Sequence, residues 1–383
     1  MKYRTFGKTG LEVSALGFGC MRFPIKGQDT SRIDEEHAAA MIREALDKGV
    51  NYFDTAWPYH TRDFSQGGNS EPFVGRVLNS VPRDSFFMAT KLPSWHIRTR
   101  EDMDKYLDEQ LRRLDTDHID FYMLHGLSRK LWGPLVKHGA FEFLDAALQS
   151  GKIRFAGFSF HDDSALFKEI VDAYDWTFGQ IQYNYFDEDF QAGREGLEYA
   201  AARGLAVVVM EPLRGGSLAG RLPVEAEQGL RKHHPDRSNV EWALRWVWKH
   251  PEVSVVLSGM SHLDHVKENL ALADGASEAP WTAEDEAAIA EARRIITRLQ
   301  KVSCTGCGYC MPCPEGVDIP GNFALANDHH MFQDPAAVNR YQMFMTDKEK
   351  ASNCTKCGRC EEQCPQQIPI REQLKDVVKM FES

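Results

Sequence analysis

Apolar and polar positions follow two patterns along this chain. Near the N-terminus, KYRTFGKTGLEVSALGFG has two alternating segments around a Lys-Thr-Gly turn, which predicts a β-hairpin. After it, a short run rich in β-branched or aromatic residues, a loop and an amphipathic helix-like stretch recur. The predicted strands are VSALGFG, VNYFDTA, SFFMATKL, IDFYMLHG, IRFAGFSF, FGQIQYNYF, AVVVMEP and VSVVLSG.

This alternation of strands and helices, which ends near residue 275, predicts the fold class. It fits an α/β fold of the (β/α)8 TIM-barrel type, which takes about 250 residues. A doubly wound open sheet is the competing architecture, but no G-x-G-x-x-G follows the first strand. We therefore predict a TIM barrel with an N-terminal β-hairpin over residues 1–299.

Residues 300–383 differ in composition from the barrel. From Cys304 onward the chain is rich in Cys, Pro and Gly, which marks a second domain. The helix before it is predicted to begin at Thr282, and TREDMDKYLDEQLRRLD shows a capping-box pattern between Thr99 and Asp102.

Composition and charge narrow the function classes. The 383 residues carry a formal net charge of -11, with 43% hydrophobic and 26% charged residues, as in ordinary globular proteins. Net negative charge without a basic stripe argues against a nucleic-acid partner. No apolar run approaches the ~18 residues needed to cross a bilayer, and MKYRTFGKTG lacks a signal-peptide pattern. We expect a cytoplasmic protein with no membrane partner.

Polar side chains stand at the ends of three consecutive predicted strands, where barrel enzymes place their chemistry. They are Asp54, Tyr59, Lys91 and His125. Each alone has a structural explanation, such as a helix cap or a core histidine. Together they suit proton transfer, because an ammonium beside a phenol lowers a phenol pKa that is ordinarily near 10.

These residues also carry a family resemblance. NYFDTAWPY, FFMATKLP and IDFYMLHG, with the hairpin RTFGKTGLEVSALGFG, resemble the aldo-keto reductases over roughly residues 1–298. The resemblance implies reduction of a carbonyl or oxidation of an alcohol, with a nicotinamide cofactor across the barrel top. It implies that Tyr59 is the general acid and base, that Asp54 and Lys91 pair, and that His125 orients the substrate oxygen.

The same resemblance implies a set of NADP or NAD contacts. Ser159 and Gln182 stand where the family holds the nicotinamide carboxamide, and LSGMSHLDHVKENL resembles the segment that holds the adenosine half. The sequence departs from the family pattern at Met210, Phe160, Gly259 and His265. Gly259 and His265 replace the basic residues expected to pair with a 2′-phosphate, which weakens the capture of that phosphate. The predicted cofactor-binding residues are Cys20, Met21, Ser159, Gln182, Met210, Ser258, Gly259, Glu268 and Asn269.

Eight of the nine cysteines form two runs, C-x2-C-x2-C-x2-C-P and C-x2-C-x2-C-x3-C-P. Tandem spacing with a terminal Cys-Pro indicates two [4Fe–4S] clusters in which the fourth cysteine of each run ligates the other cluster. Structural zinc is the alternative. The long helix-like connection resembles that of α-helical ferredoxins, so residues 300–383 are predicted to form a small α-helical ferredoxin-like domain. The predicted ligands are Cys304, Cys307, Cys310 and Cys364 for one cluster, and Cys354, Cys357, Cys360 and Cys313 for the other.

The combination leaves three functional hypotheses open. The barrel could use a nicotinamide while the clusters are structural or redox-sensing. Alternatively, the clusters could carry electrons from a ferredoxin-like partner to a flavin or to a small-molecule carbonyl or alcohol substrate. The third hypothesis is an electron-transfer subunit of a larger redox complex. Candidate pocket residues are Trp57, His60, Trp95, His96 and Trp132, and RGGSLAGRLPVEAEQGLRKHHPDRS is predicted to be a long loop that covers the cofactor.

Overall fold

A computed structural model of the chain describes residues 1–27, 29–63, 66–275, 280–304, 306, 308–334, 336–364 and 366–383. Two compact units are present: residues 1–215 with 240–281, and residues 216–239 with 282–383. Cys307, one of the predicted cluster ligands, lies outside the described residues.

Eight parallel strands close into a barrel, and each strand pairs with the next along the chain until β10 pairs with β3. This confirms the predicted TIM barrel. The barrel strands are β3 (Leu16–Gly19), β4 (Tyr52–Asp54), β5 (Phe87–Leu92), β6 (Ile119–Leu127), β7 (Ile153–Phe160), β8 (Phe178–Gln182), β9 (Ala206–Met210) and β10 (Val253–Ser258).

The predicted N-terminal hairpin is present, with strand β1 (Tyr3–Thr5) antiparallel to β2 (Glu12–Ser14). Phe6 follows β1 and is fully buried. Its ring packs against Phe121 and Phe178, with centroid distances of 4.4 and 5.5 Å. Because Phe178 is the first residue of β8, Phe6 fills the barrel at the ends where strands begin. The opposite end, where strands finish, is left for the site.

Helices follow the strands as the apolar pattern requires. Those of the first unit are α1 (Glu35–Asp47), α2 (Ser70–Leu78), α3 (Arg100–Leu114), α4 (Arg129–Lys137), α5 (Ala140–Gln149), α6 (Ser164–Ala173), α7 (Gly193–Ala202), α10 (Asn239–Trp248, whose first residue belongs to the second unit) and α11 (Leu263–Ala273). The capping box between Thr99 and Asp102 is formed at the start of α3.

The prediction of a long loop after β9 is wrong in part. It contains the short helix α8 (Ser217–Gly220) and the helix α9 (Val224–His233). Pro223 precedes α9, acidic residues occupy its first turn and basic residues its last, as suits a helix dipole. Ala226 and Leu230 are buried one turn apart, so a short apolar stripe holds this helix. The high content of Gly, Pro and His in the segment obscured that stripe in the sequence.

Among the described residues of the second unit the regular elements are helices joined by loops, as predicted for residues 300–383. Its further helices are α12 (Ala283–Arg298), which begins at the predicted Thr282 capping box, α13 (Ile319–Phe332), α14 (Ala337–Phe344), α15 (Arg359–Glu362) and α16 (Ile370–Phe381). Tyr341 lies at the centre of its core and stacks on Phe381 at 4.7 Å. The Tyr341 hydroxyl donates to Asn322 at 2.8 Å and accepts from the Ala351 amide at 3.0 Å.

Candidate active site

The predicted polar residues meet at the end of the barrel where the strands finish. Asp54 is the last residue of β4, and Lys91 and His125 lie near the ends of β5 and β6. Tyr59 follows β4 in a turn, and its amide donates to the carbonyl of Ala56 at 3.1 Å. Neighbouring parallel strands end at one edge, so the barrel itself brings these groups together.

Lys91 is the centre of the cluster. Its Nζ donates to Asp54 Oδ1 at 2.6 Å, to the Thr55 carbonyl at 2.8 Å and to the Tyr59 hydroxyl at 3.3 Å. An ammonium has three N–H donors, so these contacts use all of them. The side chain is 1% exposed, so the ammonium is held rigidly out of water.

The Tyr59 hydroxyl oxygen accepts the hydrogen bond from Lys91, so its own proton remains available to another acceptor. The Tyr59 ring stands almost perpendicular to the His125 ring, at 82° and a centroid distance of 6.3 Å. Both residues are partly exposed, whereas Asp54 and Lys91 are buried. The phenol and the imidazole are therefore the members of the cluster that a substrate can reach.

The pKa shifts in this cluster correct one expectation. Burial raises the pKa of Tyr59, and the attraction of Lys91 opposes that rise without cancelling it. The predicted lowering by Lys91 is present, but the loss of water around the phenolate outweighs it, so the net shift of the Tyr59 pKa is upward. Burial alone would lower the pKa of Lys91, but Asp54 and Tyr59 outweigh it, so the Lys91 pKa is raised. Lys91 therefore stays charged at neutral pH.

The pKa values of Asp54 and His125 shift in opposite directions, and in both cases burial is the largest cause. Burial raises the pKa of Asp54 against the pull of Lys91. Burial and then Lys91 hold the pKa of His125 well below its usual value, so its imidazole is neutral at neutral pH. Among the described residues, His125 Nδ1 has no hydrogen-bond partner. A neutral ring can donate one hydrogen bond to a substrate oxygen without adding a competing charge.

A buried network that the sequence did not reveal supports the turn carrying Tyr59. Glu71 is fully buried and accepts from Thr90 Oγ1 at 2.7 Å, from Gln110 Nε2 at 2.6 Å and from Arg113 Nε at 2.7 Å. Arg113 also donates to the carbonyl of Gly68. The Gly68 amide in turn donates to the carbonyl of Trp57 at 2.7 Å, which closes the turn.

Two predicted carboxamide contacts lie at the same end of the barrel. Ser159 is buried in β7, and its Oγ accepts from the Gly126 amide at 2.8 Å, which leaves its hydroxyl proton free. Gln182 ends β8 and donates to Asp187 at 2.9 Å. Gln180 was not predicted, yet its buried Oε1 has no partner among the described residues. The Ser159 hydroxyl as donor and Gln180 Oε1 as acceptor together match the hydrogen-bonding groups of a primary carboxamide.

The predicted adenosine segment forms a compact turn after β10. Asn269 Nδ2 donates to Ser258 Oγ at 2.8 Å, and both residues are 2% exposed. Glu268 is half-buried on α11 beside Asn269, and His265 Nδ1 accepts from the Ser261 amide at 3.4 Å. Asn269 therefore holds Ser258 in the turn, and the Ser258 hydroxyl proton is left for another acceptor.

Gly259 stands beneath the side chain of Arg22. A Cβ at position 259 would lie 2.9 Å from Arg22 Cδ, so the glycine makes room for the arginine stem. The Arg22 guanidinium pairs with Glu211 at 3.2 Å, and both side chains are partly exposed. The sequence predicted no cation at this place. The structure supplies one from the loop after β3.

The other predicted contacts differ in exposure. Cys20 follows β3 and is fully buried, with its Sγ 3.7 Å from the Phe18 carbonyl, while Met21 is 49% exposed. Burial raises the pKa of the Cys20 thiol well above its usual value, so this thiol is a core group. Met210 ends β9, and its sulfur accepts from Gln180 Nε2 at 3.6 Å.

The predicted pocket residues separate into two groups. Trp95 lies against His125 with a ring-centroid distance of 5.2 Å, and the ring of His96 is 5.6 Å from that of Trp95. Trp132 Nε1 donates to Glu169 at 3.0 Å, and His60 Nδ1 bonds the Thr30 carbonyl at 2.9 Å. Trp57 packs under Arg113 at 4.8 Å. A structural hydrogen bond accounts for Trp132, whereas Trp57 Nε1 and His60 Nε2 are buried without a hydrogen-bond partner among the described residues.

In the second unit, the cysteines surround two cavities. One, the apolar cavity, is lined by Cys304, Gly308, Cys310, Ile319, Pro320, Phe323, Cys364, Gln366, Ile368 and Ile370. The other, the cationic cavity, is lined by Tyr309, Cys310, Met311, Pro312, Cys313, Pro314, Glu315, Val317, Ile319, Cys354, Thr355, Lys356, Cys357, Gly358, Arg359, Cys360, Gln363, Arg371 and Leu374. Among the other cysteines that line these cavities, Cys313, Cys354, Cys357, Cys360 and Cys364 form no disulfide.

The fourth cysteine of each run faces the cavity of the other run. Cys313 lines the cationic cavity with the second run, and Cys364 lines the apolar cavity with Cys304 and Cys310. This arrangement of thiols, with soft sulfur donors and few competing oxygens, fits two iron–sulfur clusters held by exchanged fourth ligands.

Comparison with known families decides the class. The model of the aldo/keto reductase family matches residues 15–294, which is most of the chain. The chain belongs to the aldo/keto reductase family. A second model, the 4Fe-4S dicluster domain, matches residues 303–370. This aldo/keto reductase therefore carries an iron–sulfur domain at its C-terminal side, and the zinc alternative is not supported.

Individual relatives cover the barrel. L-galactose dehydrogenase from Arabidopsis thaliana is 29% identical over 294 residues, covering 71% of this chain and 88% of the relative. The NADH-specific methylglyoxal reductase of Escherichia coli (strain K12) is 26% identical over 314 residues, covering 71% of this chain and 93% of the relative. The holo form of aldo-keto reductase AKR11C1 from Bacillus halodurans superimposes with a TM-score of 0.61 at 29% identity, covering 76% of this chain and 96% of that one.

The family assignment makes this aldo/keto reductase an oxidoreductase that acts on a small molecule. Within the residues that the structure describes, no helix combines the length and the apolar character that spanning a bilayer demands.

Proposed function

We propose that this aldo/keto reductase interconverts a carbonyl and an alcohol by hydride transfer with NADPH or NADH, and that Tyr59 is its general acid and base. The observation that carries this proposal is the position of Lys91 Nζ between Asp54 and the Tyr59 hydroxyl, at 2.6 and 3.3 Å. This contact fixes the phenol oxygen as an acceptor and leaves its proton available to a substrate.

Each residue of the cluster then has one task. A bound nicotinamide supplies a hydride to the carbonyl carbon. Tyr59 donates its proton to the carbonyl oxygen as negative charge develops there. Neutral His125 donates a hydrogen bond to the same oxygen and orients it. Lys91 stabilises the phenolate that remains, and Asp54 holds Lys91 in place.

The residues at the barrel end fit a nicotinamide cofactor. The hydroxyl of Ser159 and the unpartnered Oε1 of Gln180 provide a donor and an acceptor for a carboxamide. Gln182 lies two residues further along β8. Arg22 provides positive charge between Gly259 and Glu211, where barrels of this type bind phosphate after their last two strands. This supports NADP or NAD, with Met21, Met210, Ser258, Glu268 and Asn269 as further contacts.

A second candidate function adds electron delivery through the iron–sulfur domain. Hydride transfer moves two electrons together, whereas each cluster passes one at a time. The structure has two cysteine-lined cavities, one of them lined by exposed Cys357, and this exposure favours an entry route for single electrons from a ferredoxin-like partner. We propose the crossed ligand sets given above for these clusters, with Cys307 included from its spacing alone.

The experiment uses the anaerobically purified holoprotein. Its absorption spectrum is recorded before and after addition of NADPH or NADH, and carbonyl-dependent oxidation of the nicotinamide is assayed separately. Oxidation of the nicotinamide without bleaching of cluster absorbance supports the hydride reaction alone. Prompt bleaching supports exchange of electrons with the clusters. If no carbonyl compound in a broad panel is reduced by either cofactor, the first proposal is wrong.

A further inference from the structure

The two cysteine-lined cavities of the second unit have different walls. Around the three described cysteines of the apolar cavity the wall is mainly hydrocarbon, including Phe323, Ile368 and Ile370. The cationic cavity is lined instead by Lys356, Arg359 and Arg371, with Glu315 as its only carboxylate among the described lining residues. A negatively charged group therefore meets positive charge at only one of the two cavities.

The cationic cavity also reaches the surface. Cys357 is exposed, and its neighbours Lys356 and Arg359 in the sequence CTKCGRC are exposed as well. Arg371 is paired with Glu361 at 2.7 Å. Within the described part of the chain, no ion pair involves Lys356 or Arg359. These two cations are thus available to a partner.

Apolar side chains border the same cavity on the opposite cysteine run. Tyr309 is 68% exposed and Met311 is 36% exposed, although both are large apolar residues. Aromatic and methionine side chains are enriched in protein interfaces, because covering their apolar surface removes it from water while a tyrosine hydroxyl can bond to the partner. Tyr309, Met311, Lys356 and Arg359 form what we call the entry face, because they line the same cavity as the exposed Cys357.

We propose that the entry face is the docking site of an acidic one-electron carrier protein of the ferredoxin class. This inference deepens the second candidate function and rests on it. The partner must be acidic because the cations of the face are unpaired, while the whole chain carries a net charge of -11 that repels acidic proteins elsewhere. An acidic partner is attracted by the cations of the entry face and repelled by the rest of the negatively charged chain, so it docks in one orientation.

The electron balance of one docking event is simple. The reduced carrier loses one electron and dissociates in its oxidised form, and the iron–sulfur site bounded by Cys313, Cys354, Cys357 and Cys360 gains that electron. No atom is transferred. Encounters of this kind use small interfaces and are weak, so a few cations around an apolar centre are sufficient.

The test compares two variants of equal net charge. In K356E/R359E the entry face changes sign, while in the control K8E/K152E two lysines on the barrel, 49% and 43% exposed, are changed instead. Binding of an oxidised acidic two-iron ferredoxin to each anaerobic holoprotein is measured by calorimetry at low ionic strength. We expect at least a tenfold weaker Kd for K356E/R359E, and less than a twofold change for the control. Binding to the wild type should weaken as salt is added.

Several results would overturn the inference. They are an unchanged Kd in K356E/R359E, an equal loss in both variants, the absence of ferredoxin binding to the wild type, or tighter binding of a basic cytochrome. Reduction by dithionite and the electron paramagnetic resonance signal confirm that each variant holds its clusters. Stopped-flow mixing with reduced ferredoxin then separates the docking site from electron delivery. If ferredoxin binds but the clusters are not reduced, the electron-delivery proposal is wrong and the docking site is still supported.

Discussion

At the scale of single residues, the proposed acid–base chemistry depends on Lys91 and Tyr59. Because burial raises the Tyr59 pKa, the phenol remains protonated across the neutral range and is ready to donate a proton. Carbonyl reduction should therefore stay constant with pH up to about 10 and fall only as pH rises through the raised Tyr59 pKa. Alcohol oxidation needs the phenolate, so its rate should rise as pH rises through the raised Tyr59 pKa.

The substitution Lys91→Met tests this electrostatic role. It removes the group that opposes the rise of the Tyr59 pKa, so the alkaline limb of alcohol oxidation should move to still higher pH. It also leaves Asp54 buried without its cation, which should cost about 3–5 kcal/mol of folding stability. The pH profile of kcat and thermal unfolding measure the two effects. Lys8→Met, at an exposed ion pair, is the control. An unchanged pH profile would contradict the role of Lys91.

Arg22 carries a second residue-scale prediction. Arg22→Met should weaken binding of NADPH about tenfold, since one charge-assisted contact is lost. Glu211→Gln should have the opposite effect, because it releases the guanidinium from its present partner. Quenching of tryptophan fluorescence on titration with NADPH and NADH measures both. Arg76→Met, at an exposed pair with Glu35, should change nothing. Equal affinities in all three variants would exclude Arg22 from the cofactor site.

At the scale of elements, the turn after β4 is held by α2 and α3. The buried Glu71 on α2 and Arg113 on α3 tie the turn at Gly68 and thereby fix Tyr59 over β5. Rigid elements of the barrel therefore position the phenol, even though Tyr59 itself lies in a turn. Positioning of this kind matters, because a shift of about 1 Å can reduce a rate about 100-fold.

Gly68→Ala tests this support. A Cβ at position 68 would overlap the carbonyl oxygen of Tyr59, so the turn must move and carry the phenol with it. We expect kcat to fall about 100-fold while the affinity for NADPH stays the same. Gly133→Ala is the matched control, because a Cβ there meets nothing within 4 Å. Wild-type kcat in Gly68→Ala would show that the turn does not position Tyr59.

The sequence predicted those elements and residues whose signals are local. Strand ends, capping boxes at Thr99 and Thr282 and the cysteine spacing are each read within a few residues. The pair of Arg22 and Glu211 spans 189 residues, and that of Glu71 and Arg113 spans 42, so no local pattern announces them. The net shift of the Tyr59 pKa was missed for a related reason, since the depth of burial depends on the whole barrel.

For the whole molecule, the central question is how two chemistries share one chain. The barrel suits transfer of a hydride and a proton, and the second unit suits one-electron steps. The proposed exchange of fourth ligands between the cysteine runs would make both proposed clusters depend on the folding of the entire second unit. Loss of a complete run, including its fourth cysteine, should therefore remove a ligand from each proposed cluster.

Serine variants test the crossed ligation. With Cys354, Cys357 and Cys360 all changed to Ser, one cluster should remain, and iron content should fall by half. Adding Cys364→Ser to this variant should remove the remaining cluster, whereas adding Cys313→Ser should leave it. Iron analysis and electron paramagnetic resonance measure the outcome. The reverse order of sensitivity would show that each run ligates its own cluster.

The kinetic effect of Tyr59→Phe tests the central claim most directly. The substitution removes only the hydroxyl, whose oxygen accepts from Lys91 at 3.3 Å, and keeps the ring against His125. With any carbonyl compound that the wild type reduces, single-turnover assays with NADPH or NADH should show a hydride-transfer rate lower by about 10²–10⁴, at unchanged cofactor affinity and iron content. An undiminished rate would contradict the assignment of Tyr59 as the proton donor.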